Sequence, residues 1–515
     1  MKKLPIGIQT IEEIIKGGYV YVDKTALVFQ LITEGKYYFL SRPRRFGKSL
    51  LVSTLKAVFS GNKELFKDCQ IYSTNYGWQK HPIIYLDFAQ IVTKSPQELE
   101  ASLKRTLIKI AESYNKSIDV FSLQEGLTSL VEKLSEEGKV VVLIDEYDKP
   151  LIDNLHRLEI AKENRDLLKD FFGTLKSLDG YLKFVFVTGV SKFSQVSLFS
   201  GFNNLKDITI NPKYATLLGY TEEETSVFFK EYITTVAQKQ NKTPQEIIAL
   251  MRFWYNGYGF FKEGPTVYNP FSTMLFLENG EIDNYWFQTA TPTFLINQIK
   301  KQAYPLDEIS GVQVEDTLFN SHDLEKISLI SLMWQTGYLT IKSYDPSTRL
   351  YYLDYPNEEV KVSFLRHLAE GITGVPLTRA TGYARNCAMA LYKNNLEDFF
   401  AKLKVFFSGI PYDVHIAKEK YYQTIFYVIA KLIGLDAQLE VKTNIGRIDM
   451  VVTTDTFVYI FEFKIDSSVE EALAQISNKK YCEKYLDQKK KLILVGVNFD
   501  TSKRNISDWK TTSSL

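Results

Sequence analysis

Cysteine and histidine are scarce: the 515 residues hold three and five of them. Cys69, Cys387 and Cys482 are far apart and odd in number, which argues against a disulfide framework and offers no zinc-ligand spacing. Nor does any apolar run approach the roughly 20 residues that a membrane helix needs. The opening stretch places Gln9, Glu12 and Glu13 where a secretory signal needs apolar residues. A cytoplasmic, reducing location without a membrane partner is the expectation. An excess of one charge is missing too: 62 Lys+Arg against 61 Asp+Glu leave a net +1. That balance excludes a globally basic chromatin-type protein and an acidic solvating tail, but it can hide local patches. No Pro/Gly/Ser linker and no low-complexity segment marks a boundary.

What is present is ordinary globular material, 45% hydrophobic and 24% charged, with an aromatic share of 14% that points to large ring-filled cores. The length suits about three domains. In the first third, short apolar runs at Tyr37–Leu40, Ile83–Leu86, Val140–Ile144 and Phe184–Val187 alternate with helical patterns such as Leu50–Phe59. Runs apolar on both faces predict a buried parallel sheet and an α/β architecture. Tyr19–Val22 reads as a further strand, with Asp23 capping the helix after it.

The middle, from about Tyr220, reads as mostly helical. One helix runs from Pro244 toward Trp254, and another from near Asp323 to Gly337. Strands Tyr338–Ile341 and Leu350–Leu353 follow it, joined by the turn signal Asp345-Pro346-Ser347. Helix plus hairpin resembles the end of a winged helix. In the last part, Ala417–Gly434 carries Tyr422, Phe426, Ile429 and Ile433 on one stripe. Strands 437–443, 446–453 and 457–465, a helix 469–485 and a strand 491–498 follow.

Two constellations carry chemistry. Between a strand and a helix lies Arg42-Pro43-Arg44-Arg45-Phe46-Gly47-Lys48-Ser49, whose end matches the phosphate-loop pattern G-x-x-x-x-G-K-[ST]. Backbone N–H groups at a helix N-terminus surround phosphate oxygens there. Lys48 reaches the β/γ-phosphates and the Ser49 hydroxyl binds Mg²⁺. Arg42 stands where the pattern's first glycine belongs. The strand Val140–Ile144 ends in Asp145 and Glu146, the Walker B form, in which Asp145 holds Mg²⁺ and Glu146 polarises the attacking water. Thr188, after Phe184–Val187, is a candidate γ-phosphate sensor. Arg42, Arg44 and Arg45 are candidates for a charge-stabilising finger.

The second constellation is Gly446-Arg447-Ile448-Asp449 with Phe461-Glu462-Phe463-Lys464. Alternate strand residues share a face, so Glu462 and Lys464 point together while Phe461 and Phe463 enter the core. A hairpin turning symmetrically at Asp455-Thr456 puts Asp449 opposite Glu462. Two close carboxylates need a cation, and an oxygen-only site suits Mg²⁺, with Mn²⁺ as the alternative. Such a metal activates water against a phosphodiester, and Lys464 steadies the charge that develops. Gln475, Glu419 and Glu440 are candidates to extend the site.

With these motifs in place, the chain resembles the bacterial proteins, frequent in gut Bacteroidetes and other anaerobes, that join an AAA-ATPase-like domain to a C-terminal PD-(D/E)XK nuclease-superfamily domain. The resemblance is carried in order by YVDKT at 21–25, RPRRFGKSL at 42–50, LIDEYDKP at 143–150, VTGVSKFS at 187–194, NNLKDIT at 203–209 and GYTEEE at 219–224. It continues with WYNGYGF at 254–260, YNPFS at 268–272, QTGYL at 335–339, YPNEEV at 355–360, GRIDMVV at 446–452, FEFK at 461–464 and ALAQI at 472–476. By resemblance the Arg-for-Gly loop is the family's own form. By the same resemblance Lys48, Ser49, Asp145 and Glu146 match the family's ATPase motifs, Glu146 as the catalytic one; Arg44, Arg45, Phe46 and Gly47 of the loop and the candidate Thr188 complete the expected nucleotide set from the pattern alone. Asp449, Glu462 and Lys464 match the αβββαβ nuclease core, with Gln475 beside them.

The expected division is an AAA-ATPase-like P-loop domain at 1–218, a helical lid and winged-helix-like region at 219–375, and a nuclease-like domain at 376–515. The expected function is ATP hydrolysis coupled to a Mg²⁺-dependent phosphodiesterase acting on nucleic acid, in the first place DNA. The alternative is an ATP-driven switch whose nuclease-like domain only binds DNA or a partner. A homo-oligomer formed through the ATPase domain would let a neighbour supply an arginine finger. From Ile476 to Leu515, nine Lys or Arg stand against four Asp or Glu, so any attraction to nucleic acid is confined to patches.

Overall fold

The computed structural model describes residues 1–192, 198–199, 202, 204–289, 293–302, 309, 311–320, 328–374, 377–410, 419–432, 435–443, 446–488 and 490–513. Ile433, residues 193–194 and the helix start expected at 417 lie outside them. The chain forms two compact units. One comprises Met1–Thr289 with Val312–Val360, the other Ala290–Gly311 with Lys361–Leu515.

The first unit is built on β1 (Tyr37–Ser41), β2 (Ile83–Asp87), β3 (Val140–Asp145), β4 (Leu182–Gly189) and the short β5 (Lys206–Asp207). Their order is β2-β3-β4-β1-β5 and every pair is parallel. All residues of β1 and β3 are buried, as covering on both faces requires. Helices Pro96–Ser113 and Leu123–Ser135 begin where the Ser95 and Ser122 side chains accept a backbone N–H. Parallel strands deliver their C-terminal ends to one edge, which here gathers Ser41, Asp145 and Gly189.

Tyr19–Val22 is not a strand. Val20 and Val22 instead enter the core of the helical middle, beside Phe229, Ile247, Tyr255 and Phe276, so burial replaces pairing. The N-cap of the next helix is Lys24 and not Asp23, whose carboxylate nevertheless accepts from Thr25 N, the first helical residue, at 2.8 Å.

The helices of that middle start cleanly. Thr221 with Glu224 and Thr243 with Glu246 form reciprocal capping boxes. Helix Leu329–Thr336 ends on Gly337 (φ 91°), and Leu339 N still bonds back to Met333 O. The strand expected at Tyr338 therefore begins later. Strands β7 (Thr340–Asp345) and β8 (Leu350–Asp354) form the hairpin, and β6 (Val312–Val314) joins the far edge of β8.

In the second unit, β9 (Asp436–Lys442), β10 (Arg447–Thr453), β11 (Phe457–Ile465), β12 (Lys491–Asp500) and β13 (Asn505–Ser513) lie in the order β13-β12-β11-β10-β9. Only β11 and β12 are parallel, because the helix Val469–Asn478 joins them. The helix expected over 469–485 is broken at Lys480, whose φ of 47° is left-handed, and resumes as a 3₁₀ turn, Tyr481–Tyr485. Phe426, on helix Glu419–Leu432, lies with its ring 5.1 Å from Phe461 and 5.3 Å from Phe463, the core face anticipated for that strand. Among the described residues no helix is long and apolar enough to cross a membrane.

Candidate functional site

The phosphate loop joins β1 to the helix Lys48–Phe59. Gly47 is left-handed (φ 92°), although a Cβ there would meet nothing, so glycine serves the backbone and not the space. Arg45 is the other left-handed residue of the loop (φ 67°). Arg42 is not among the positive-φ residues, so the pattern's first glycine is not needed for a left-handed turn.

Arg42 is no finger. It is 1% exposed, and its guanidinium donates to Ser41 O, Thr209 O and Tyr214 O at 2.8–3.2 Å while lying 3.9 Å over the Phe260 ring. Burial pushes its pKa down to about 9, against the pull of Asp207. It is a strut under the loop.

Lys48 Nζ donates at 2.9 Å to both Arg42 O and Pro43 O. Burial lowers its pKa, opposed by Asp145, Asp148 and Glu146. Ser49 hydrogen-bonds the Asp145 carboxylate, which also accepts from Glu146 N at 2.9 Å. Burial raises the pKa values of Asp145 and Glu146, and Glu146 holds a left-handed φ of 52° at the strand end. A cleft of about 460 Å³ is lined by Arg44 to Ser49 and by Glu146.

Thr188, on β4, is tied into the sheet. Its buried hydroxyl donates to Leu40 O at 2.8 Å and its carbonyl accepts from Tyr147 N, so it ties three chain segments together. Phe46 anchors the loop, its ring 4.8 Å from Tyr258 and 5.5 Å from Phe260. Asp148 went unnoticed in the sequence. Buried, it accepts from Val190 N, Ser191 N and Ser191 Oγ, fastening the end of β4 beside the loop.

The hairpin has the anticipated register. Met450 faces Phe461, so one step further Asp449 faces Glu462. Val458 and Ile460 belong to one apolar cluster with Ile476 and Tyr481, and the same row of β11 turns charged at Glu462 and Lys464. Glu462 is 1% exposed and its Oε1 lies 3.1 Å from Lys464 Nζ. The same ammonium donates to Gln475 Oε1 at 2.9 Å. Asp449 Oδ2 accepts from Phe463 N at 2.7 Å.

Tyr481 was missed. It is buried, hydrogen-bonded by Gln475, and raised in pKa by burial, then by Glu462 and Asp449. The signal was its place just after ALAQI. Glu440 lies opposite Asp449 by register, between the pairs Val441–Ile448 and Leu439–Met450. Its carboxylate pairs instead with Arg447 at 3.4 Å, its backbone left-handed at φ 49°. The Glu419 side chain lies outside the described residues.

Among the described residues no group of three or more His, Cys, Asp or Glu is gathered for a metal. Each constellation offers two oxygen-bearing side chains: Ser49 with Asp145, and Asp449 with Glu462. This fits Mg²⁺, which takes one or two carboxylates and completes its shell with water and phosphate.

Comparison with known proteins follows the same division. Residues 5–199 match the model of a predicted AAA-ATPase, and residues 417–509 match a PD-(D/E)XK nuclease superfamily model. A protein of Azotobacter chroococcum mcd 1, described as an uncharacterized protein in the vnfD 5′ region, is 38% identical over 523 residues, covering 98% of each chain.

Proposed function

For a chain that belongs to the family joining a predicted AAA-ATPase domain to a PD-(D/E)XK nuclease superfamily domain, we propose an ATP hydrolase coupled to a metal-dependent nuclease that acts on nucleic acid, DNA in the first place, in the cytoplasm. The observation that carries it is the register that sets Asp449 against Glu462, with Lys464 on that carboxylate. A chain using this domain only for docking has no need of two facing carboxylates and an ammonium. The working division stays 1–218, 219–375 and 376–515.

Lys48 and the N–H groups of the loop bind the nucleotide phosphates, and Glu146 takes the proton of the attacking water. Ser49 and Asp145 would hold Mg²⁺ at the nucleotide. Asp449 and Glu462 would hold Mg²⁺ in the hairpin, where the ion would supply an activated water and charge neutralisation at phosphorus. Lys464 steadies the developing negative charge, and Gln475 and Tyr481 hold Lys464 in place. Pairing of copies through the ATPase domain would bring a further arginine to the cleft. The test is a cleavage screen over DNA and RNA forms with Mg²⁺ or Mn²⁺, with and without ATP, beside Asp449→Asn. Absence of cutting on every form ends the nuclease half of the proposal.

One observation favours the second reading, an ATP-driven switch whose nuclease-like domain only binds: Glu462 is buried and already engaged by Lys464. Calorimetric titration with Mn²⁺ separates the two. Uptake that Asp449→Asn abolishes supports chemistry, and no uptake favours the switch.

A further inference from the structure

The phosphate loop is gripped from outside the parallel sheet. Trp286 Nε1 donates to Arg44 O at 3.2 Å. The Arg45 guanidinium lies 4.7 Å from the centre of the Phe271 ring. Both grips trace back to one side chain. Glu359 is 0% exposed, and its Oε1 accepts from Trp286 N at 2.9 Å and from Ser272 Oγ, next to Phe271, at 3.0 Å. Asn269, whose side chain accepts from Phe271 N and Ser272 N, starts the helix that carries both residues. The second carboxyl oxygen of Glu359 is buried without a hydrogen bond among the described residues.

A buried carboxyl with only part of its capacity satisfied is costly, so an apolar side chain would be cheaper if filling space were its only task. We propose that Glu359 is a positioning residue for the phosphate loop, acting through Trp286 on Arg44 and through Ser272 on the Phe271 contact of Arg45. The link to phosphate is geometric. Arg44 C=O and Arg45 N–H belong to one planar trans peptide and point opposite ways. Holding that carbonyl on the indole therefore fixes where the Arg45 N–H aims. With Arg45 and Gly47 both left-handed, that N–H is one of a series able to line an anion nest. This inference rests on the proposal that the loop binds ATP.

The experiment uses the full chain and mant-ATP as the probe, followed at equilibrium, with ATP turnover and nucleotide-free melting measured alongside. Trp286→Phe keeps a ring and removes only the N–H, and should weaken mant-ATP binding about fivefold, the worth of one hydrogen bond. The KM for ATP should rise with kcat near wild type. Glu359→Ala should weaken binding at least as much, whereas Glu359→Gln, which keeps an acceptor oxygen, should stay within about twofold of wild type. Nucleotide should change tryptophan emission in the wild type and lose most of that change in Trp286→Phe. A Trp286→Phe protein that binds mant-ATP as tightly as wild type overturns the proposal. So does a folded Glu359→Ala protein that loses melting temperature but keeps its KM, which marks a purely structural residue. A wild-type chain that binds no mant-ATP overturns the phosphate-loop reading as well, which separates the two failures.

Discussion

Ser41 and Asp145 reach the same edge of the sheet only because β1 and β3 both pair with β4, with more than a hundred residues of chain between them. Asp449 and Glu462 face each other because a single hairpin turn joins their strands. The cleft at the phosphate loop is thus a product of the whole first unit, whereas the carboxylate pair is a product of local register. The surroundings differ in the same sense. Arg42, Arg44, Arg45 and Phe46 are each held by a residue between Tyr258 and Trp286, and Gly337 leaves room for the Pro43 ring. The carboxylate pair is supported from within its own hairpin, the next helix and Tyr481. The first site should therefore answer to substitutions far from the loop, and the second mainly to substitutions within a short stretch of chain.

Four experiments press on that contrast. Asp449→Asn is expected to lower Mg²⁺-dependent DNA cleavage roughly a thousandfold while ATP turnover stays at the wild-type level, measured by plasmid nicking and phosphate release on one preparation. Loss of both activities together would mean that the two sites do not work as separable chemistry. Lys48→Ala should weaken mant-ATP binding roughly a hundredfold. Gly337→Ala tests control from a distance. Gly337 is left-handed at φ 91°, and a Cβ there would meet the Pro43 ring at 2.6 Å. A loss of about 2 kcal/mol in unfolding free energy, read from the shift of the denaturant midpoint, is expected, together with weaker mant-ATP binding. Unchanged affinity would confine the loop's supports to its neighbours in sequence.

The smallest effect concerns pH. Burial pushes the Glu359 carboxyl up to about 8, opposed by the backbone N–H of Trp286, the Ser272 hydroxyl and the Tyr285 backbone, with Asp283 adding to the rise. The folded chain then keeps a proton that the unfolded chain has released. Its stabilising contribution is complete below the ordinary carboxylate pKa and is lost as pH rises toward about 8. Glu359→Gln should flatten that slope by at most about 1.4 kcal/mol per pH unit, read from denaturation midpoints across the range. An unchanged slope would assign the proton uptake to another group.

Much of both sites is readable along the chain because their signals are short-range. Gly47-Lys48-Ser49 between strand and helix, and an apolar strand closing on Asp145 and Glu146, need only local pattern. The symmetric turn at Asp455-Thr456 was enough to pair Asp449 with Glu462, since the side-chain period of a strand leaves one register that buries Phe461 and Phe463. The reading failed where partners come from distant elements. Arg42 looked like a loop cation and is a buried strut. Thr188, the sensor candidate, also ties β4 to β1 through Leu40 O, a bond no local pattern discloses. Tyr19–Val22 looked like a strand and is core filling for the helical middle. The blocks at 254–260, 268–272 and 335–339 marked a resemblance without disclosing that they close on the phosphate loop.

Composition, periodicity and motif spacing by themselves determined an α/β chain with a phosphate loop, a Walker B strand and a carboxylate hairpin, because hydrophobic period and turn chemistry act over a few residues. The tertiary structure alone decided which arginines of the loop are available, what Thr188 and Asp148 do, and that Glu359 stands beneath the loop. Those outcomes depend on desolvation and on which carbonyls lie within reach, and neither exists until distant segments have packed together.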